Sequence, residues 1–207
     1  MSFPPGQPDL QPTDTYAPAV ARPLRVQTAG TYHLYARSVS CKPLFPHSAA
    51  RRVFLALVGS AAQRYSWHVQ TYCLMTTHYH LLVTIDEANL ARGMQWLNGV
   101  YGATLNAHEA DYGHVFGARY GSSPVTTEPY LLEVVRYIAL NPVRAGLCSE
   151  PADWPWSSYR AIARNLPAPS FLEFDSVLGL FGRDRVNARR RLDALVCDGI
   201  RLDAAAT

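Results

Sequence analysis

The 207-residue sequence is poor in several features that mark particular classes of protein. It has only four cysteines, none of them in a CxxC pair, and a single lysine among its 19 cationic residues. It has no signal peptide and no uninterrupted apolar run of the ~18 residues that a membrane helix needs. It also has no glycine-rich P-loop that would bind ATP. These absences argue against a disulfide scaffold, a membrane protein and a P-loop enzyme, and they predict a reduced, cytoplasmic location with no membrane partner.

The cationic residues are concentrated in the middle of the chain. Residues 21 to 165 hold thirteen cationic and eight acidic side chains, an excess of five, whereas residues 166 to 207 hold six of each. Arginine provides all but one of these cations, and its planar guanidinium suits bidentate contact with phosphate. A GC-rich genome also favours arginine codons, so the charge permits a nucleic-acid partner without requiring one.

Three regions differ in composition. Residues 1 to 20 are rich in proline and lack apolar periodicity, which predicts a disordered leader. Residues 21 to 165 show alternating strand and helix patterns and are predicted to form the main domain. Residues 166 to 207, which begin with a Pro-Ala-Pro linker, are predicted to form a helical C-terminal extension.

The order of patterns in the main domain predicts an α+β, ferredoxin-like βαββαβ sandwich followed by one more helix. The word TYHLYARSVS alternates as a strand, and HSAARRVFLALVGSAAQR has helical spacing through Val53, Leu57 and Ala61, with Ser48 as its N-cap. WHVQTYCLMT and HYHLLVTID then predict a hairpin. An amphipathic helix over residues 89 to 108 and a strand at HVFGARY complete the unit.

His78 and His80 are candidate metal ligands in the second strand of the hairpin. Side chains two residues apart lie on the same face of a strand, about 7 Å apart along the chain. Tyr79, with Leu81, Val83 and Ile85, occupies the opposite face, which is predicted to cover the core. The histidine pair therefore remains available for chemistry on the other face.

Tyr137 and Asn141 are candidate site residues on the helix that Thr127, Glu128 and Pro129 open. Four residues apart, they share a helix face and present a phenol and an amide together. Tyr130 lies one heptad earlier on the same flank and is a rival nucleophile. Pro142 is predicted to end the helix at Asn141. A hydroxyl, an amide oxygen and two imidazoles are components of metal-assisted phosphoryl transfer.

Five sequence motifs, in this order, resemble those of the single-tyrosine HUH transposases, in the REP-associated tyrosine transposase branch, also called transposase-17-like. The motifs are TYHLYAR, YCLMTTHYHLLV, GHVFGARY, RYIALNPVRAGL and DWPWSSY. The resemblance implies cleavage and joining of single-stranded DNA at hairpins through a 5′-phosphotyrosine, by a nucleoid-associated monomer or homodimer. By motif, it implies Tyr137 as the nucleophile and His78, His80 and Asn141 as ligands of Mg²⁺ or Mn²⁺.

The sequence departs from the family pattern at two places. Many members have Pro-Asn where Thr76 and Thr77 stand, and insertion-sequence members have Gln where Asn141 stands. Two other functions stay open, a domesticated hairpin-binding regulatory protein without a need for catalysis and a Rep-like nicking enzyme. The arginine-rich segment RDRVNARRRLDALV either contacts DNA or packs on the domain through Val186, Leu192 and Leu195. His33 receives no role, although it shares a strand face with Tyr35.

Overall fold

The computed structural model describes residues 28–109 and 113–205, so the predicted leader at residues 1–20 lies outside the described residues. The strands are β1 (Gly30–Arg37), β2 (Trp67–Leu74), β3 (His78–Ile85) and β4 (Gly121–Val125). The helices are α1 (Ser48–Tyr65), α2 (Leu90–His108), α3 (Glu128–Arg144), α4 (Ser158–Ala163), α5 (Asp175–Gly179) and α6 (Arg185–Ala205). Short 3-10 turns span Val39–Cys41 and Pro151–Asp153.

The four strands form an antiparallel sheet in the order β2-β3-β1-β4. The hairpin between β2 and β3 turns at Thr76 and Thr77, with the amide of Met75 donating to the carbonyl of His78 at 2.9 Å. β3 therefore lies between β2 and β1, and the prediction of a ferredoxin-like α+β sandwich is confirmed. The boundaries of the three sequence regions stay a prediction.

Helices cover both faces of the sheet and create two apolar clusters. α1 and α2 pack on the face that carries Tyr79, Leu81, Val83 and Ile85. α3 to α6 pack on the other face, around Leu82. The period-two pattern in β3 and the five predicted apolar positions of α2 are confirmed, since the buried residues of α2 include Leu90, Met94, Leu97, Tyr101 and Leu105.

Two local predictions in the first half of the fold are wrong. The N-cap of α1 is His47 instead of Ser48, because the His47 Nδ1 accepts the Ala50 amide at 3.1 Å. Val53 is also not on the buried face of α1, since it is exposed and Phe54 packs against Tyr79 with ring centroids 4.6 Å apart, whereas Ala61 is buried and Leu57 is partly buried. The Phe54 ring also contacts Phe45 and Tyr101, so it belongs to the aromatic core above the sheet.

The fourth strand lies just after the predicted word HVFGARY. In that word Phe116 makes an isolated bridge to Ser38, and the ladder with β1 is formed by the following residues GSSPV. Pro124 cannot donate a backbone hydrogen bond, which a strand tolerates at the edge of a sheet. The prediction was displaced because aromatic and β-branched residues have high β-propensity, and HVFGARY has more of them than GSSPV, which forms the strand.

α3 continues beyond Asn141, contrary to the prediction. Pro142 lies inside the helix, which ends where the Gly146 amide bonds to the Val143 carbonyl and the Leu147 amide bonds to the Pro142 carbonyl, both at 2.9 Å. Gly146 has a φ of +67°. This arrangement is a Schellman motif, in which a left-handed glycine follows the helix. Asn141 is therefore held within a continuous helix.

The C-terminal extension packs against α3. Ala188, Leu192 and Val196 of α6 are buried with α3 residues in one cluster. Of the predicted packing positions, Leu192 is therefore confirmed, Val186 is wrong because it is exposed, and Leu195 is only partly buried. A Cβ atom on Gly199 would lie 2.5 Å from the Leu140 Cδ1, so the two helices approach closely at that point. The extension therefore supports the helix that carries Tyr137.

Several arginines of this extension already have partners within the protein. Arg185 forms an ion pair with Asp175, and Arg189 donates to the Asn165 side chain. Arg191 donates to the Phe181 carbonyl at 3.0 Å. These contacts favour packing over DNA contact for the extension. None of the described helices is long and apolar enough to cross a membrane.

The packing of α6 is tested by Leu192→Ala and a matched control, Val186→Ala, six residues earlier on the same helix. Leu192 is 1% exposed, and a truncation that leaves a cavity costs about 2 to 5 kcal/mol of unfolding free energy. Val186 is 58% exposed, so its truncation is expected to change stability by less than about 0.5 kcal/mol. Urea denaturation measures both. Equal stability of the two variants would contradict this packing.

Candidate active site

The site lies on the sheet face that α3 covers. Leu82 of β3 packs in the cluster formed by Val134, Val135 and Ile138 of α3. His80 points to the same face as Leu82, so the helix also passes over the imidazole. Tyr137 meets His80 edge-on, with ring centroids 5.3 Å apart and ring planes at 83°. The phenol is 40% exposed, so it is accessible from solvent.

The predicted histidine pair is present as two neighbouring imidazoles on β3. The ring centroids of His78 and His80 are 5.1 Å apart, with the rings nearly perpendicular. His80 is 5% exposed and His78 is half-buried. Tyr79 lies fully buried on the opposite face and donates to the Asn98 side chain at 2.7 Å. Tyr79 therefore packs in the core, as predicted.

His33 is a member of the site that sequence reasoning left without a role. β1 pairs with β3 so that Tyr35 lies opposite His80. In this register the Nε2 of His33 comes within 3.0 Å of the Nδ1 of His80, and both rings are buried. The sequence does indicate that His33 and Tyr35 share a strand face. It does not indicate that this face lies beside His80, because that depends on the register between β1 and β3.

Asn141 joins the site from the last turn of α3. Its Nδ2 donates to the Tyr137 carbonyl at 3.1 Å, and its side chain also hydrogen-bonds to His78. The amide is buried, so these contacts fix its rotamer. The structure thus brings together Tyr137, His78, His80 and Asn141, the four site residues that the sequence predicted.

All three imidazoles of the site are held in the neutral form. Burial, together with the nearby His33, His78 and Arg37, lowers the pKa of His80 to about 2. Burial likewise lowers the pKa of His33 to about 4. The pKa of His78 is lowered by burial and by Arg37, against a hydrogen bond with Asn141 that raises it. Neutral imidazole is the form that ligates a metal.

The donor atoms of the site fit a divalent metal. The Nε2 of His80 is buried and has no hydrogen-bond partner among the described residues. Two neutral imidazoles and an amide oxygen from Asn141 suit Mn²⁺ well and Mg²⁺ acceptably. The described residues contain no cluster of three or more His, Cys, Asp or Glu side chains placed for a metal ion. Besides the two histidines, a metal here would therefore take its ligands from the Asn141 amide and from water or other oxygens.

A basic groove of about 540 Å³ opens beside Tyr137. Its lining includes three arginines and one acidic residue, Glu133, which forms an ion pair with Arg136. The other lining residues are His33, Tyr35, Arg37, His80, Tyr130, Val134, Tyr137 and Arg144. A Cβ atom on Gly121 would lie 2.1 Å from the Tyr35 ring, so the ring lies flat over the glycine. Tyr130 lies seven residues before Tyr137 on α3, which places it about 10 Å further along the groove.

Two solved structures are similar to this chain. A REP-associated tyrosine transposase bound to a REP hairpin superposes with a TM-score of 0.61 at 15% identity, over 75% of this chain and 95% of that chain. A candidate transposase from Deinococcus radiodurans is similar over 57% of this chain and 95% of that chain, at 13% identity and a TM-score of 0.41. The first of these structures identifies the fold as that of a tyrosine transposase.

The family model described as "Transposase IS200 like" matches residues 27–141, which is more than half of the chain. The chain therefore belongs to the IS200-like transposase family, a family of DNA-processing enzymes. The matched region runs from β1 to Asn141 and includes both histidines and Tyr137. No curated protein matches the sequence.

The buried histidines predict a loss of stability at mildly acid pH. The unfolded chain binds protons at these imidazoles below about pH 6.5, whereas the folded chain keeps them neutral. Unfolding free energy is therefore expected to fall as the pH decreases from 7 to 5, by up to about 1.4 kcal/mol per pH unit for each histidine. His80→Gln removes one such group and is expected to make the dependence shallower.

The measurement compares the slope of unfolding free energy against pH in the wild type and in His80→Gln. Groups that titrate in both proteins contribute equally to the two slopes and cancel. One of these is His68, whose pKa is raised by hydrogen bonds with Glu173 and Asp86 and which therefore acts in the opposite direction. Chemical denaturation at each pH gives the slopes. Identical slopes for the wild type and His80→Gln would show that His80 does not resist protonation.

Proposed function

We propose that this protein is a metal-dependent single-stranded DNA endonuclease and strand transferase that acts at DNA hairpins through a 5′-phosphotyrosine. One observation carries the proposal, the edge-on contact of Tyr137 with His80 at the mouth of a basic groove. A tyrosine that is accessible to solvent and also touches a candidate metal ligand is placed to act as a nucleophile.

In the proposed reaction the Tyr137 hydroxyl oxygen attacks the scissile phosphorus. A bond forms between that oxygen and the phosphorus, the bond to the 3′ oxygen breaks, and a free 3′-hydroxyl leaves. The phenol releases its proton as the bond forms, and the departing 3′ oxygen takes up one proton, so the step has no net loss of a proton. The product is again a phosphodiester, so a 3′-hydroxyl can reverse the step and join strands without ATP.

His78, His80 and Asn141 would hold the metal ion. When bound, such an ion polarises the phosphoryl oxygens and stabilises the charge that develops during transfer. The contribution of the chain is to keep the imidazoles neutral by burial and to fix the Asn141 amide through the Tyr137 carbonyl. Because Asn141 and Tyr137 share one helix, the same element positions a ligand and the nucleophile.

The groove has the chemistry expected of a single-strand binding surface. Arg37 and Arg144 supply positive charge for the backbone, beside an Arg136 that is ion-paired with Glu133, and the exposed rings of Tyr35 and Tyr130 offer faces for stacking bases. The Arg144 guanidinium lies 5.8 Å from the centre of the Tyr137 ring, so it can meet the phosphate that the nucleophile attacks. The hairpin in the related structure supports a hairpin substrate here.

The nucleophile lies beside the histidines of its own chain. This arrangement supports a site completed within one molecule, and so a monomer as the active form rather than a homodimer. Association with the nucleoid would follow from DNA binding.

The buried histidines favour catalysis over a purely regulatory DNA-binding role. A protein that only binds the DNA backbone has no need for neutral, buried imidazoles beside an accessible tyrosine.

Tyr137→Phe tests the nucleophile, with Tyr130→Phe as a matched control on the same helix. Wild type incubated with a hairpin-bearing oligonucleotide and Mn²⁺ is expected to form a covalent adduct at the 5′ end of the cut. Tyr137→Phe is expected to form none, whereas Tyr130→Phe is expected to form it. Denaturing gels that retain the protein–DNA band measure this. A band lost only in Tyr130→Phe would reverse the assignment.

His78→Ala and His80→Ala test the metal ligands. Each change is expected to abolish cleavage and leave most of the DNA affinity, since arginine contacts supply backbone binding. Asn141→Ala is expected to have a milder effect, because water can replace an amide ligand. Cleavage assays and fluorescence anisotropy measure the two properties on the same oligonucleotide. Cleavage that survives the double alanine change would remove the metal from the mechanism.

A further inference from the structure

His33 and His80 form a buried imidazole pair at the centre of the site. The Nε2 of His33 lies 3.0 Å from the Nδ1 of His80, and the rings are 9% and 5% exposed. The β1–β3 register, with Tyr35 opposite His80, holds the pair in place. The other nitrogen of His80, Nε2, is buried and has no hydrogen-bond partner among the described residues.

One proton lies between the two rings, and it has two possible donors. If His33 donates from Nε2, the proton of neutral His80 is carried on its own Nε2, where it is a buried N–H without an acceptor. If His80 donates from Nδ1, its Nε2 carries a lone pair instead. A buried lone pair next to His78 and Asn141 gains a partner when a cation binds, whereas an N–H there repels one.

We propose that His33 is a positioning residue that accepts the Nδ1 proton of His80 and so presents the His80 Nε2 lone pair to the site. A ligating histidine usually passes its second N–H to an acceptor, which fixes its tautomer and its ring orientation. Here the acceptor is another neutral imidazole. The role of His33 in metal binding rests on the proposed function, whereas the tautomer of His80 does not.

The surroundings of His33 keep it in this position. Its ring contacts Tyr137 edge-on with centroids 5.8 Å apart, and Tyr35 with centroids 5.5 Å apart. On the other side of β1, the backbone pairs His33 with Ser123 of β4. A rotation of the His80 ring would therefore have to displace the His33 ring, which Tyr137 also contacts. His33 links the metal-binding imidazole to Tyr137.

The test is the protonation pattern of His80 in the metal-free protein at neutral pH. Long-range ¹H–¹⁵N correlation spectra distinguish a protonated ring nitrogen from an unprotonated one. In the wild type we expect His80 protonated at Nδ1 and unprotonated at Nε2. In His33→Phe, which fills the space without an acceptor, we expect this preference to be lost. His33→Gln offers an amide oxygen as acceptor and is expected to restore it.

Calorimetric titration with Mn²⁺ provides a second readout. His33→Phe is expected to bind Mn²⁺ about 10- to 100-fold more weakly than the wild type, with partial recovery in His33→Gln. His108→Phe is the control, since His108 is exposed and hydrogen-bonds within α2 to the Thr104 carbonyl. It is expected to match the wild type in both measurements.

The outcomes separate this inference from the proposed function. A wild-type His80 protonated at Nε2 would overturn the role of His33, as would an unchanged tautomer and Mn²⁺ affinity in His33→Phe. The expected tautomer in a wild type that binds no Mn²⁺ would support the positioning of His80 and contradict the metal-dependent function.

Discussion

The rest of the structure depends on the packing of α3 against the sheet face that carries the histidines. Leu82 and His80 are two residues apart on β3 and share that face, so a helix that buries the leucine also crosses the imidazole. The apolar stripe of α3 provides the contact, and Tyr137 stands on its flank. Packing energy thereby determines the distance between Tyr137 and the histidine pair.

This arrangement buries polar groups, and the site compensates with hydrogen bonds among its own members. His80 bonds to His33, His78 bonds to Asn141, and Asn141 bonds to the backbone of α3. Burial favours neutral imidazoles, which is the state needed for ligation. On its far side α3 is covered by α6, so the C-terminal extension stabilises the site without contributing a residue to it.

Much of this could be predicted from the sequence because it depends on local periodicity. Alternation in β3 separated Tyr79 from His78 and His80, and the spacing of α2 gave its buried positions. Other features depend on contacts between distant segments. His33 reaches His80 through a strand register across 47 residues, which no local pattern encodes. The prediction that α3 ends at Asn141 was wrong because it relied on Pro142. The helix accommodates this proline and ends just before Gly146, which has the left-handed conformation.

The most direct test of the account is the anomalous scattering of Mn²⁺ in crystals of the protein with a single-stranded oligonucleotide. The account predicts one strong peak within bonding distance of the His80 Nε2 and a ring nitrogen of His78, beside Asn141 and on the same side as the Tyr137 hydroxyl. A saturated crystal without a peak between these histidines, or with its only peak at a distant carboxylate, would contradict it.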